Sequence, residues 1–266
     1  MKLILTTVLI ICALASPAQV VPLPNAHAHN DYEHKRPLLD ALDNGFTSVE
    51  ADVYLIDGVF YVYHDLPEVL DKNRTLQNLY LDPLKKRIQK NEGYIYPGYE
   101  DFFYLMIDLK SEAKPAYEQM KKVLAKYKDF ISTVKQGQEE ADKPVKIFLS
   151  GSVSGGSYDE ILSEELLFAG IDGRPGDLGK GIAASAMPVV SDHYRKFLSW
   201  NGKGVVNEKE REKLLTFVKQ AHAEGKKVRL WAAPDVPEVW AFLFENGVDL
   251  INTDNLSGLR EFLADQ

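Results

Sequence analysis

Eight short apolar segments rich in β-forming residues recur along this chain, and helical patterns lie between them. The predicted strands are 25–29, 46–55, 102–109, 145–150, 167–171, 187–191, 228–232 and 248–253. The clearest helical patterns cover 114–127, 158–166, 207–224 and 235–246, and a hairpin is predicted over 54–64 with its turn at Asp57-Gly58. Strands that alternate with helices are typical of βα units, whose strands pair in parallel. The pattern therefore predicts an α/β fold of the (β/α)8 TIM-barrel class in a single domain.

The N-terminal segment, residues 1–18, is predicted to be a signal peptide rather than part of the fold. Lys2 precedes an apolar run from Leu3 to Leu14, and the small residues Ser16-Pro17-Ala18 follow it. The run is too short to span a bilayer, so we expect export to the periplasm or the exterior. Residues 19–266 then form the barrel domain. An open doubly wound sheet is the alternative, but no glycine-rich dinucleotide turn follows the first strand.

Composition excludes several classes of function. The chain has 31 basic and 39 acidic residues, a net charge of −8, which disfavours a general nucleic-acid-binding protein but leaves a local cation site open. Its one cysteine, Cys12, lies in the predicted signal peptide, so the mature domain would contain neither disulfides nor cysteine-ligated zinc. No later segment is apolar enough to predict stable membrane insertion.

Acidic and imidazole side chains lie near the ends of the predicted strands, and four of the six histidines fall within residues 27–64. Glu50 and Asp52 are two residues apart in an apolar strand, so their side chains point to the same face. Asp108 reaches the same rim from the third strand. Carboxylates brought together in a barrel interior are strongly disfavoured unless a cation lies between them. With the amide oxygen of Asn30 they form an all-oxygen set that suits Ca²⁺ or Mg²⁺.

Two histidines are the candidate acid and base. His29 and His64 bracket the carboxylate pair in sequence, and imidazole titrates near neutral pH, so it can serve both halves of a displacement. Lys110 lies on the same side of its strand as Asp108, where its ammonium can neutralise a bound anion. His27 faces the same way as His29 and is a candidate secondary or substrate-binding partner.

These residues carry a resemblance to a known superfamily. The segments His29-Asn30-Asp31-Tyr32, Val49-Glu50-Ala51-Asp52-Val53, Val62-Tyr63-His64 and Ile107-Asp108-Leu109-Lys110 are similar to those of the phosphoinositide phospholipase C and glycerophosphodiester phosphodiesterase superfamily. The branch that the chain most resembles is that of the "altered inheritance of mitochondria" proteins. The likeness is strong over residues 27–66, good at 105–110 and weaker over 228–255, where Arg229-Leu230-Trp231 and Thr253-Asp254 match closing blocks of the glycerophosphodiesterases.

The resemblance implies a Ca²⁺- or Mg²⁺-dependent TIM barrel that cleaves a small-molecule or lipid phosphodiester with two catalytic histidines. It places His29 and His64 in those catalytic roles, with Lys110 assisting. It assigns the metal to Asn30, Glu50, Asp52 and Asp108. The candidate substrate-binding residues are His27, Arg174, Arg229 and Trp231. The His-Arg-Gly and Pro-Glu-Asn-Thr blocks of ordinary glycerophosphodiesterases are absent, and Asp108 stands where those enzymes usually carry Glu, which leaves the substrate open.

Two other functions compete with this interpretation. The His27-Ala28-His29 segment is also typical of the first strand of amidohydrolase barrels, but those need nitrogen or carbamylated lysine ligands from strands 4 to 6, where only His193 is found. A non-catalytic ligand-binding barrel that retains the pocket is the third possibility. Oxygen-ligated Ca²⁺ or Mg²⁺, nitrogen-ligated zinc, and binding without turnover distinguish the three.

Overall fold

The structure is a computed structural model that describes residues 20–139, 143–154 and 158–266. The predicted signal peptide, residues 1–18, lies outside the described residues, so this segment and the export inferred from it stay predictions. In the part of the chain that the structure describes, no helix is both long and apolar enough to cross a bilayer.

Eight parallel strands form a nearly closed barrel, which confirms the predicted fold class. They are β1 (Leu23–Ala28), β2 (Phe46–Ile56), β3 (Phe103–Leu109), β4 (Val145–Gly151), β5 (Gly170–Gly173), β6 (Val189–His193), β7 (Lys227–Trp231) and β8 (Ile251–Thr253). Their order around the barrel follows the chain, and β8 pairs with β1. A single parallel bridge, Arg229 to Leu250, joins the last two strands.

Helices lie between most of the strands and cover the barrel. They are α1 (Leu39–Asp43), α2 (Asp82–Lys90), α3 (Ala113–Leu124), α4 (Asp159–Leu162), α5 (Glu208–Ala223), α6 (Pro237–Glu245) and α7 (Leu256–Ala264). A π-helix, Gln77–Leu81, leads directly into α2. The connection from β5 to β6 contains the 3₁₀ helix Pro175–Asp177 in place of an α-helix, so the βα alternation is irregular there.

Two local predictions are tested by the strand pairings. The hairpin forms as expected, since Val59–Val62 pairs antiparallel with the end of β2 and both Asp57 and Gly58 have positive φ. The predicted fifth strand, 167–171, was placed too early: Leu166–Leu167 instead pairs antiparallel with Val134–Lys135 in a small separate sheet. The sequence pattern does not reveal this change of partner, because residues 166–171 form one continuous apolar run although its start pairs in the small sheet and its end in the barrel.

The barrel interior is divided into an apolar and a polar level. Met106, Phe148, Val189 and Leu250 pack together as one buried cluster inside the strands. Because side chains alternate along a strand, the inward residues two positions later lie nearer the carboxyl ends. In β3 that residue is Asp108, and in β8 it is Asn252. The polar side chains are therefore collected at the carboxyl-terminal mouth, where TIM barrels carry their sites.

Candidate active site

A cavity of about 300 Å³ opens at the carboxyl-terminal mouth of the barrel. Ten of the eleven predicted site residues line it, and they are His29, Asn30, Glu50, Asp52, His64, Asp108, Lys110, Arg174, Arg229 and Trp231. Ser150 and Gly151, which were not among the predicted residues, also line it. The residues come from six barrel strands or the segments that follow them, so only the closed barrel brings them together.

Three carboxylates meet at the floor of this cavity. Asp52 and Asp108 lie opposite one another in the pairing of β2 with β3, and Glu50 precedes Asp52 on the same face. One oxygen from each carboxylate lies within 4.8 Å of the other two, and among the described residues this is the one such group of potential metal ligands. Oε2 of Glu50 and Oδ1 of Asp52 are shielded from solvent and accept no hydrogen bond within the described chain. Buried carboxylate oxygens that accept no hydrogen bond fit a hard divalent cation.

The site does not favour the ionised form of the three carboxyl groups equally. Burial and the nearby charge of Asp52 raise the pKa of Asp108 to about 6, and burial and Glu50 raise the pKa of Asp52. Burial also disfavours ionised Glu50, but His27 and the charges of Arg229 and His29 outweigh it and lower the pKa of Glu50. Glu50 is thus held ionised, while the two aspartates gain from any added positive charge.

Lys110 supplies part of that charge. Its Nζ lies 2.9 Å from Oδ2 of Asp52 and 3.0 Å from Oδ1 of Asp108. Burial alone would lower the pKa of Lys110, but the two carboxylates raise it well above its usual value. The ammonium therefore remains protonated at the edge of the carboxylate group.

The two candidate acid/base histidines lie at different edges of the carboxylates. Nε2 of His29 is 3.9 Å from Oε2 of Glu50, whereas Nδ1 of His64 is 3.2 Å from Oδ2 of Asp52. The exposed His64 side chain faces the mouth of the cavity, and His29 is partly covered. A substrate group above the carboxylates would thus have one imidazole near Glu50 and the other near Asp52.

Asp254, which was not among the predicted site residues, holds the far nitrogen of His29. Its Oδ1 lies 2.9 Å from Nδ1 of His29. Burial lowers the pKa of His29, but the hydrogen bond with Asp254 and the charge of Glu50 outweigh it, so the net shift is upward. The sequence signal for this residue was the Thr253-Asp254 segment at the end of the last strand. Asp254 and His29 are far apart in the chain, so their contact forms only when the barrel closes.

Tyr32 is a second residue that the predicted set omitted. Its buried hydroxyl lies 2.7 Å from Oδ1 of Asn30, 2.7 Å from Oδ2 of Asp52 and 3.3 Å from Nδ1 of His64. Asn30 itself adopts a left-handed conformation with φ of 47°, which Asn tolerates better than most residues. Tyr32 therefore orients the amide, one carboxylate and one histidine of the site together.

His27 does not lie where a substrate-binding residue was predicted. It is fully buried below the cavity, with Nδ1 2.7 Å from Oγ of Ser48 and Nε2 3.8 Å from Oε2 of Glu50. Burial lowers the pKa of His27 to about 4, so the ring is neutral at physiological pH. An enclosed ring offers no surface to a substrate, because side chains that point inward at this depth of the barrel pack against one another. His27 instead lies against Glu50 and helps to lower the pKa of that carboxyl group.

The two arginines differ in how their charge is used. Arg229 is only 3% exposed, and its Nη1 lies 3.8 Å from Oε2 of Glu50. Arg174 reaches the cavity from the segment after β5 and is oriented by Asp172, whose Oδ2 lies 2.9 Å from Nη1 of Arg174. Asp172 is a further residue that the sequence did not single out.

Trp231 forms part of the cavity wall. Its ring packs edge-on against that of His193, with the two ring centroids 4.4 Å apart.

Gly151 allows the close approach of strands β3 and β4 at this level. It has φ of +71°, and a Cβ there would lie 2.3 Å from Oδ1 of Asp108. Any side chain would therefore displace the Asp108 carboxylate from the group of three.

Comparisons with known proteins identify the family to which this chain is related. The AIM6-like phosphodiesterase domain matches residues 16–166, more than half of the chain. The chain is 25% identical to the altered inheritance of mitochondria protein 6 homolog of Arthroderma benhamiae, over 91% of this chain and 84% of that protein. It is 29% identical to altered inheritance of mitochondria protein 6 of Eremothecium gossypii, over 94% of this chain and 72% of that protein. These matches confirm the resemblance that the motifs indicated.

One solved structure shares the architecture. The phosphatidylinositol-specific phospholipase C of Listeria monocytogenes superposes with a TM-score of 0.51 at 10% sequence identity, covering 95% of this chain and 96% of that one. At this identity the likeness concerns the barrel fold alone.

Proposed function

Because this chain belongs to the AIM6-like phosphodiesterase family, we propose that it is a metal-dependent phosphodiesterase that cleaves a glycerophosphodiester or phospholipid-type phosphodiester with two histidines as acid and base. The observation that carries the proposal is the group of Glu50, Asp52 and Asp108, whose oxygens lie within 4.8 Å of one another between two histidines. An all-carboxylate group favours this chemistry over the nitrogen-ligated zinc of an amidohydrolase.

The residues that would hold a divalent cation are Glu50, Asp52 and Asp108, with Asn30 beside them. Their fit rests on the buried oxygens of Glu50 and Asp52 that accept no hydrogen bond and on the raised pKa values of both aspartates. Oxygen ligands of this kind suit Ca²⁺ or Mg²⁺. Such a cation, when bound, neutralises phosphate charge and makes a hydroxyl group easier to deprotonate.

The chain's own groups would perform the proton transfers. One imidazole takes the proton of the attacking hydroxyl, from water or from the substrate itself, as its oxygen bonds to phosphorus. The other imidazole donates a proton to the alcohol oxygen as its bond to phosphorus breaks. His29 and His64 fill these two roles jointly. Asp254 stabilises the protonated form of His29. Nδ1 of His64 lies 3.2 Å from Oδ2 of Asp52, which orients that ring.

Positive side chains would stabilise the charge that develops on phosphate. Lys110 lies beside the carboxylates after β3, and Arg174 lines the same cavity from the segment after β5, so a phosphate above the carboxylates would have two cations within the cavity. Tyr32 and Asp172 act through other residues, by orienting Asn30 and Arg174 respectively. We expect this activity outside the cytoplasm, in the periplasm or the exterior, because residues 1–18 are predicted to be a signal peptide.

Phosphorus NMR of the purified protein tests the proposal. The panel contains glycerophosphocholine, glycerophosphoinositol, lysophosphatidylcholine and phosphatidylinositol, each with Ca²⁺, Mg²⁺ or chelator. We expect a product that requires the metal and disappears in His29→Ala, while His222→Ala, which removes a histidine paired with Asp249 away from the cavity, retains activity. The chemical shift of the product identifies the bond broken and whether a cyclic phosphate forms. Turnover that is unaffected by chelator, or retained in His29→Ala, would contradict the mechanism.

A further inference from the structure

A second, smaller cavity adjoins the one already described. It has a volume of about 200 Å³ and lies between the segment that follows β7 and the end of β8. His29 borders both cavities, so the smaller one opens beside a candidate acid/base group. Ala232 and Ala233 form part of its wall, and their short side chains leave the space open.

Asn252 is the unusual member of this second cavity. It pairs in register with His27 on the neighbouring strand and is only 8% exposed. Neither its Oδ1 nor its Nδ2 has a hydrogen-bond partner among the described residues. A buried amide that makes no hydrogen bond is costly to keep. It can accept one hydrogen bond and donate another, which is what a hydroxyl group requires of its partner.

The other polar groups of this cavity are already paired. Asp235 accepts hydrogen bonds from Nε1 of Trp240 at 2.9 Å and from the backbone NH of Asp254 at 3.0 Å. Asp254 in turn holds His29, and Oγ1 of Thr253 accepts from the backbone NH of Asn255. Among the side chains that line this cavity, Asn252 is therefore the one whose polar atoms are buried and lack a hydrogen-bond partner within the described residues.

The charges of the two cavities are complementary to different parts of a phosphodiester. The larger cavity contains Lys110, Arg174 and Arg229, whereas no lysine or arginine lines the smaller one. The smaller cavity instead carries the carboxylates of Asp235 and Asp254. The larger cavity also holds three carboxylates, but its lysine and arginines can offset the charge of a phosphate, whereas the smaller cavity offers neither lysine nor arginine against its two carboxylates. The phosphate therefore belongs in the larger cavity and an uncharged hydroxylated group in the smaller.

We propose that the smaller cavity is the subsite for an alcohol esterified to the phosphate of the substrate, and that Asn252 selects a neutral polyol by hydrogen bonding the hydroxyl of that alcohol that is most distant from the phosphate. The proposal rests on the proposed phosphodiesterase function, since it places the alcohol next to a phosphate above the three carboxylates. Asn252 acts in specificity rather than in proton transfer. A substrate without the distal hydroxyl would leave the buried amide unpaired, and this penalty is what discriminates.

Two matched esters test this assignment. These are the p-nitrophenyl phosphodiesters of glycerol and of propane-1,2-diol, each joined to phosphate through its first carbon. Both keep the hydroxyl on the second carbon, and only the glycerol compound carries a hydroxyl on the third carbon, which is the distal hydroxyl. We expect the wild type to cleave the glycerol ester with a kcat/KM about tenfold higher. Asn252→Leu should bring the ratio close to one by losing activity on the glycerol ester alone. Asn78→Leu, which removes an exposed amide far from either cavity, is the matched control.

Other results would overturn the subsite. A wild-type ratio near one, or an equal loss on both esters in Asn252→Leu, would show that the amide binds only a buried water or supports the fold. Asn252→Ala, which has less bulk to accommodate, replaces the leucine variant if that variant does not fold.

A binding measurement separates this proposal from the proposed function. If the wild type cleaves neither ester, the phosphodiesterase proposal fails, and calorimetry with glycerol 1-phosphate and propane-1,2-diol 1-phosphate decides the subsite. About tenfold tighter binding of the glycerol compound, lost in Asn252→Leu, supports the subsite. Equal dissociation constants for the two compounds overturn it.

Discussion

Neutralising two carboxylates of the same group, one at a time, should change the stability of the metal-free protein in opposite directions. The variants are Glu50→Gln and Asp108→Asn, which remove a charge and keep the shape of the side chain. Glu50 is held ionised by His27, Arg229 and His29, so its pKa is lowered. Burial and Asp52 raise the pKa of Asp108 to about 6. The folded state therefore favours the charge of Glu50 and disfavours that of Asp108.

The size of each effect follows from the contacts. Glu50→Gln leaves the buried guanidinium of Arg229, 3.8 Å away, without its carboxylate, and removing one partner of a buried ion pair costs about 3 kcal/mol. A rise in the pKa of Asp108 from 3.8 to about 6 corresponds to a penalty of about 3 kcal/mol above pH 6. The pairing with Lys110 is already part of this net shift. Screening by solvent at the partly exposed carboxylate reduces the penalty, so we expect Asp108→Asn to gain about 2 kcal/mol.

Thermal unfolding in chelator at pH 7.5 measures both effects. For a barrel of this size we expect the Tm to fall by about 6–12 °C in Glu50→Gln and to rise by about 4–8 °C in Asp108→Asn. The raised pKa of Asp108 means that its penalty is absent below the unfolded pKa and complete above the folded one. The gain in Asp108→Asn should therefore shrink towards zero at pH 4.

Added Ca²⁺ or Mg²⁺ gives a readout that does not depend on activity. A metal that binds only the folded state raises the Tm of the wild type, and we expect both variants to lose most of that rise. Shifts of the same sign in the two metal-free variants would refute the electrostatic reasoning. A full metal-induced rise in both would refute the assignment of these carboxylates to the metal.

Three further variants test other features of the site. Gly151→Ala should displace Asp108, because the new Cβ would lie 2.3 Å from Oδ1 of Asp108, and it should abolish metal-dependent turnover. The control Gly179→Ala, at a position with φ of +83° and open space around it, should lose only about 1 kcal/mol of unfolding free energy and keep its activity. Asp254→Asn should lower the pKa of His29, because the hydrogen bond and the charge of Asp254 both raise that pKa in the wild type. An unchanged NMR titration of the His29 ring would contradict the role given to Asp254. Burial raises the pKa of Asp31 to about 7, so the wild type should lose stability between about pH 4 and 7, by up to about 4 kcal/mol. Urea unfolding of Asp31→Asn should lack that loss, and parallel pH profiles for the two proteins would argue against it.

The repeating pattern of the chain was enough to predict the barrel, because the alternation of strands and helices is a local property. All eight predicted strands overlap barrel strands, and four of them, 46–55, 102–109, 145–150 and 228–232, match the observed bounds within one residue at each end. The sixth, 187–191, lies two residues before Val189–His193. The fifth was displaced because the apolar run at 167–171 serves two sheets, and periodicity does not distinguish their partners. The missing α-helix between β5 and β6 was likewise invisible in the strand pattern.

The site was predicted best where its residues are close in sequence. Glu50 and Asp52 share a face because strand geometry has a period of two, and the ends of parallel strands meet at one rim, which brings in Asp108 and His29. His27 obeys the same rule yet lies below the cavity, since depth along a barrel axis is set by strand stagger and not by side-chain parity.

Local residue patterns were enough to predict the class of fold, the side-chain types at the barrel mouth and the carboxylate pair on one face. The distribution of charge among these side chains could be read only from the closed barrel. Barrel closure placed Arg229 against Glu50, Lys110 between two aspartates, Asp254 behind His29 and an unpaired Asn252 beside a second cavity. These partners come from strands at opposite ends of the chain, and a pKa or an unpaired amide depends on burial and distances that exist only once the barrel has closed.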